Sequence, residues 1–342
     1  MDLSGPVPRM SCMRRRAFLA AAAAPLVAAA IPPSLVAARL GGGVVALVTA
    51  DLESHVVAVD ASSGRILKRI PTAQGPRSVE SNRFGQALVA HTSHGRLTVV
   101  DAATLTVLGE IAGLGEPRYT AMHPFDRLAY VSESKRGAVA VVDLVRRKVV
   151  GRVSVPGPAR HLSLSDDGAV LWTSLGTKAR EVAVVDVSVA RRPRLVRTIT
   201  PPFLAHDVVS APGGAHVWVT SGERGAVAIY ARGGDLPLRI LPAAAAPQHV
   251  AFSRSRAYVA SGEDGSVRLH RLDGRPVGPA VSVPDGSYNI SFSGSASTFG
   301  RPVAVIPSLD RGTVCLLAPG GAVRAIRKVA RSAHDACIVE AG

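Results

Sequence analysis

Apolar residues along this chain come in short runs that end in Gly, Ser, Asp or Pro, and the runs recur. One set reads HVVAVDA (55–61), RLTVVDA (96–102), AVAVVDL (138–144), EVAVVDV (181–187), AVAIYAR (226–232), SVRLHRL (266–272) and TVCLLAP (313–319). A second set precedes it: VALVTA (45–50), ALVAHT (87–92), LAYVSES (128–134), VLWTSL (170–175), HVWVTS (216–221), AYVASG (257–262) and VAVIPSL (303–309). Runs of this length, rich in β-branched residues and bounded by turn formers, predict strands. No helical period of useful length follows residue 40.

The repeat is about 43 residues long and holds four strands, named a to d from the hub outward. The second set above is strand b and the first is strand c. Strand d follows, as in RILKRIP (65–71), VLGEIA (107–112) and KVVGRVSV (148–155). A Pro/Gly turn then leads to strand a of the next repeat, as in GPRSVES (75–81) and GPARHLSLS (157–165). Asp60, Asp101, Asp143 and Asp186 close strand c at intervals of 41, 42 and 43 residues. Their side chains are expected to cap the c–d turn. In the last two repeats Arg271 and Leu317 stand in that place.

Four short strands per repeat of this length predict an all-β, seven-bladed β-propeller. The first repeat begins at strand b, and the chain ends SAHDACIVEAG, a strand a with no blade after it. Pairing residues 334–340 beside 44–50 completes the first blade and closes the ring, which removes two exposed edges. The stretch from Met122 to Gly168 resembles the YVTN-type β-propeller repeats, related to the lactonase-like seven-bladed propellers, and the resemblance covers roughly residues 43–341. It implies the fold and leaves the activity open, because propellers host many activities.

Residues 1–38 read differently. A positive stretch precedes an Ala-rich apolar run, and Arg15, Arg16, Phe18 and Leu19 match the RRxFL core of a twin-arginine signal, which this segment resembles. Arg14 departs from that pattern. Val36-Ala37-Ala38 is a plausible cleavage site. Pro25, Pro32 and Pro33 make the same stretch a poor membrane anchor. The resulting organisation is a signal over 1–38, a linker over 39–43 and a propeller over 44–342, with an exported mature chain that has no membrane span. Of three cysteines, Cys12 falls in the signal; Cys315 and Cys337 are expected to be reduced, buried residues.

Aligning the seven entries to strand a on their first core residue exposes two polar columns. The first holds Arg77, Arg118, Arg160, His206, Gln248, Tyr288 and His334; the second holds Ser78, Tyr119, His161, Asp207, His249, Asn289 and Asp335. Strands alternate in direction, so these positions converge at one mouth of the channel with the d–a and b–c loops. Four of the ten histidines fall in these two columns. The tripeptide Ala-His-Asp occurs at 205–207 and 333–335, on blades that face each other across the hub. Arg77, Arg118, Arg160, His206, Asp207, His249, Tyr288, His334 and Asp335 are therefore the candidate ligand pocket. His206, His249 and His334 are the candidate metal ligands. The same residues also suit a structural role, satisfying backbone groups and holding channel water. On the b–c loops Glu53, His55, His91, His94, Glu133, Glu223, Glu263, Asp264 and Asp310 share this face.

The formal charge is +15, of which residues 1–38 contribute +3. The Arg-rich runs at 146–152 and 190–197 carry no interleaved aromatics, which argues against nucleic acid and for a solvated basic rim. No HExxH, GxSxG, phosphate-cradling glycine loop or CxxC is present. The leading expectation is an exported, monomeric binding or scaffold protein that takes a small anionic ligand or a protein partner. A lactonase-like hydrolase using hub His and Arg residues is one alternative. A metal- or tetrapyrrole-handling propeller is the other.

Overall fold

In the computed structural model the described residues are 44–243, 245–293 and 302–339. The twin-arginine-like segment over 1–38, with Arg15, Arg16, Phe18 and Leu19, and the linker over 39–43 lie outside them.

Seven four-stranded antiparallel sheets are built from consecutive strands, with one exception. The exception is the sheet that contains Val45–Ala50, His55–Asp60 and Ile66–Pro71, whose innermost strand is the C-terminal Ala336–Val339. Val45 pairs with Val339 and Val48 with Ala336, and His334 N donates to Thr49 O. The two ends of the described chain thus form one blade. The molecule is a seven-bladed β-propeller.

The burial pattern explains why strands b and c read as continuous apolar runs. Each blade is covered on both faces by its neighbours, so Gln86–His91, Leu128–Glu133 and Ala138–Asp143 are buried at every position. Strand d lies at the rim and exposes most of its side chains, as in Ile66–Pro71 and Thr106–Ile111. Seven apolar clusters lie between adjacent blades; the one that joins Val45 and Leu47 to Val79 and Val89 links blades 1 and 2. Another packs Ala46 and Val48 against Val305 and Val314 and seals blade 7 to blade 1. Trp172 and Trp218 fill two of these interfaces and are fully buried.

The c–d turns carry the expected caps. Asp60 Oδ1 accepts from Ser62 N at 2.8 Å, Asp101 Oδ1 from Thr104 N at 2.7 Å, Asp143 Oδ1 from Arg146 N at 2.8 Å and Asp186 Oδ1 from Ser188 N at 2.9 Å. In blade 6, where Arg271 replaces the aspartate, Asp273 takes over by accepting from Arg275 N at 3.0 Å. Cys315 and Cys337 are buried free thiols. Among the described residues no helix is long and apolar enough to cross a membrane.

Candidate functional site

Strand a opens on the channel in every blade, and the two polar columns lie where it begins. A cavity of about 590 Å³ occupies the mouth beside blades 1 to 3 and is lined by d–a and b–c loop residues, among them Asp51, Arg77, Glu116, Arg118 and Lys135. A second cavity of about 340 Å³ follows the channel itself and is lined by Glu80, Tyr119, His161, Asp207, His249, Asn289 and Asp335.

The three arginines of the first column are half-buried at this mouth. Arg77 Nη1 lies 3.4 Å from Asp51 Oδ2, and Arg118 Nη2 lies 3.9 Å from Glu116 Oε2. Arg160 has no ion-pair partner among the described residues, and its Nε is buried without a hydrogen bond. Burial lowers its proton affinity; Tyr119 opposes this, and Arg118 and Arg77 add to it by charge repulsion. A guanidinium does not give up its proton in a protein, so this strain is a cost that an anion would relieve.

Among the described residues the aspartates of the second column form no ion pair with these arginines. Asp207 Oδ1 accepts from Val208 N at 2.8 Å, and its Oδ2 accepts from Val250 N at 3.4 Å. Asp335 Oδ1 accepts from Ala336 N at 2.8 Å and from Asn289 Nδ2 at 2.5 Å, while Oδ2 accepts from Val79 N at 2.9 Å. The bonds from Val250, Asn289 and Val79 run around the ring from blade to blade, because neighbouring inner strands leave amides free at the hub that a short carboxylate can reach. Burial raises the Asp335 carboxyl to about 6 despite these donors. Ser78 Oγ makes a similar cross-blade bond to Arg118 O at 2.6 Å.

The histidines divide into two groups. His161, His206 and His249, from blades 4, 5 and 6, offer one nitrogen each within 4.8 Å of the others. Their ring centroids are 4.4 Å apart for His161 and His206, 4.8 Å for His161 and His249, and 5.6 Å for His206 and His249. Tyr119 caps the group, 4.2 Å from the His161 ring. His334 does not join it: its Nδ1 is 2.7 Å from Arg77 O. Of the candidate metal ligands His206, His249 and His334, the fold brings the first two together with His161, because these three stand on consecutive blades. His334 belongs to blade 1. Strand a of blade 5 changes register between Ala205 and Val208, the stretch that holds His206, a first-column residue that meets two from the second column.

His206 Nδ1 lies 3.1 Å from Thr177 O, and His249 Nδ1 lies 3.2 Å from Asp207 Oδ2. Each ring therefore presents Nε2, a lone pair able to bind a metal or accept a proton. Burial, then His249, pushes His206 down to about 4. Burial also drives His161 and His334 well below the ordinary histidine range. The His206 backbone favours protonated His161, yet no hydrogen bond of good geometry reaches that ring. His161, His206 and His334 are therefore neutral at pH 7.

Tyr288 sits elsewhere. Its ring lies against Gly262, where a Cβ would collide with it, and its charged neighbours are Asp310 and Glu263. Among the b–c loop residues, Glu133 is fully buried between Arg136 at 3.2 Å and Arg152 at 2.7 Å. His91 is tied to Thr98 Oγ1 at 2.9 Å and Gln74 O at 3.2 Å. Both are anchors of their loops.

No family model matches the sequence, and no curated protein matches it. The fold is similar to that of Kuenenia stuttgartiensis Hydrazine Synthase, with a TM-score of 0.69 and 18% identity over 81% of this chain and 92% of that chain. At that identity the likeness is one of fold. Because 1683 solved chains match, the architecture alone names no chemistry.

Proposed function

We propose that this chain is an exported binding propeller of the YVTN type whose channel mouth holds a small anion. The observation that carries this reading is Arg160: a half-buried guanidinium with no carboxylate partner among the described residues, close enough to Arg77 and Arg118 to be strained by them. Arginine pairs oxyanions in a bidentate fashion, and a ligand bridging such groups removes their mutual repulsion. The cavity of about 590 Å³ that Arg77 and Arg118 line has room for a ligand larger than a single oxyanion. Lys135 and Arg118 add positive charge there, and Asp51 and Glu116 set an acidic boundary that a polyanion must avoid.

Thermal unfolding in inorganic phosphate and in citrate, at ionic strength matched with chloride, tests the reading. A bound anion stabilises the fold by about 2.7 kcal/mol at a hundredfold excess over Kd. Arg160→Ala and Arg118→Ala are expected to abolish the stabilisation, while Asp101→Ala, in an outer turn, retains it. Equal melting temperatures in chloride, phosphate and citrate would overturn it, as would an undiminished response from Arg160→Ala.

A further inference from the structure

We infer that His161, His206 and His249 form a site for one divalent transition-metal ion inside the channel. The geometry is the first support: three rings from three consecutive inner strands bring one nitrogen each within 4.8 Å of the others. Two nitrogens bound tetrahedrally to a zinc-sized ion lie about 3.4 Å apart, given metal–nitrogen bonds of about 2.0–2.1 Å. Binding therefore draws the nitrogens together by up to about 1.4 Å.

His161 is the second support. It is 1% exposed, and among the described residues neither ring nitrogen has a hydrogen-bond partner of good geometry. A buried imidazole with both nitrogens unsatisfied lacks the compensation that buried polar groups almost always find. Two other imidazoles lie beside it along with Tyr119, and an ion between the three histidine rings supplies what is missing.

The third support is how the other two rings are held. Metal-bound histidines donate their second N–H to a carboxylate or a backbone carbonyl, which fixes the tautomer and aims the free nitrogen. His249 has Asp207 in that place and His206 has the Thr177 carbonyl.

An all-imidazole set selects zinc, copper, nickel or cobalt over calcium and magnesium, which demand oxygen. The ligand set carries no negative charge, and Arg160 lies close enough to His161 and His206 to disfavour further positive charge. The channel cavity beside His161 and His249 leaves a further coordination position open to water or an anion.

The test uses the full-length protein, stripped with a chelator and without an affinity tag. Titration calorimetry with Zn²⁺ and Cu²⁺ is expected to saturate at one equivalent, and Co²⁺ to give the visible absorption of a low-symmetry nitrogen site. His161→Ala and His206→Ala are expected to weaken binding by at least about 100-fold, above the usual effect of altering a group behind a ligand. His94→Gln, on an exposed loop, leaves it unchanged. Because removal of the buried His161 ring can unsettle the fold, metal-free melting curves accompany each variant, and His206→Ala, at a half-buried position, decides if His161→Ala fails to fold. Absence of one-equivalent binding would overturn the site, as would two variants that bind like the parent. Phosphate stabilisation of the metal-free protein reports separately on the arginine mouth, so the two readings fail independently.

Discussion

Glu80 lines the channel from strand a of blade 2 and is open to channel water, yet blades enclose it on all sides. That enclosure, together with the Asp335 carboxylate, raises its carboxyl to about 8; the Ser81 amide offsets this only in part. A carboxyl whose affinity for protons is higher in the folded state destabilises the fold as pH rises, because the folded protein then holds more protons than the unfolded one. The window for Glu80 runs from the ordinary carboxylate value of 4.5 up to about 8. The lowered histidines act in the opposite sense: for His206 stability rises with pH from about 4 to 6.5. The difference between the two proteins isolates the carboxyl, so Glu80→Gln is expected to gain melting temperature relative to the parent steadily from pH 4.5 to 8. Parallel melting curves for the two across that range would show that channel water solvates Glu80 as bulk water does.

At the scale of single elements, the strand carrying most weight is the last. Ala336–Val339 supplies the inner edge of blade 1, and His334, Asp335 and Thr49 tie it in with three further bonds. Without it, Val45–Ala50 presents unpaired backbone groups along a strand whose six residues are all buried. Deleting residues 334–342 is expected to lower the melting temperature and to produce aggregates in size-exclusion chromatography. A monomeric truncation with the parent's melting temperature would mean that the ring holds without its closing strand. The strands themselves were legible in sequence because short apolar runs and turn formers are local signals, as were the caps at Asp60 and Asp101. Asp273 was not, since its turn shifted two residues past the aligned position. The polar columns were legible as columns. Their roles were not, because Asp207 and Asp335 spend their oxygens on amides of other blades, and only the folded ring brings Val250 N and Val79 N within reach.

For the whole molecule, export remains a proposal resting on Arg15 and Arg16 with Phe18 and Leu19. Replacing both arginines with lysine keeps the charge and the hydrophobicity and is expected to stop export, because such a signal is read by a receptor. Normal export of that variant, followed by fractionation, would assign the segment another route. The repeat period, the missing first strand and the surplus last one determined the propeller in advance, since each blade must bury both faces against a neighbour and seven such units have one way to close. Which histidines meet was decided only in three dimensions. Pseudo-symmetry made His206 and His334 equivalent in sequence, but ring order put His206 beside His161 and His249. Contacts across adjacent blades join residues about 43 positions apart, and no local pattern in the chain encodes the angle at which they arrive.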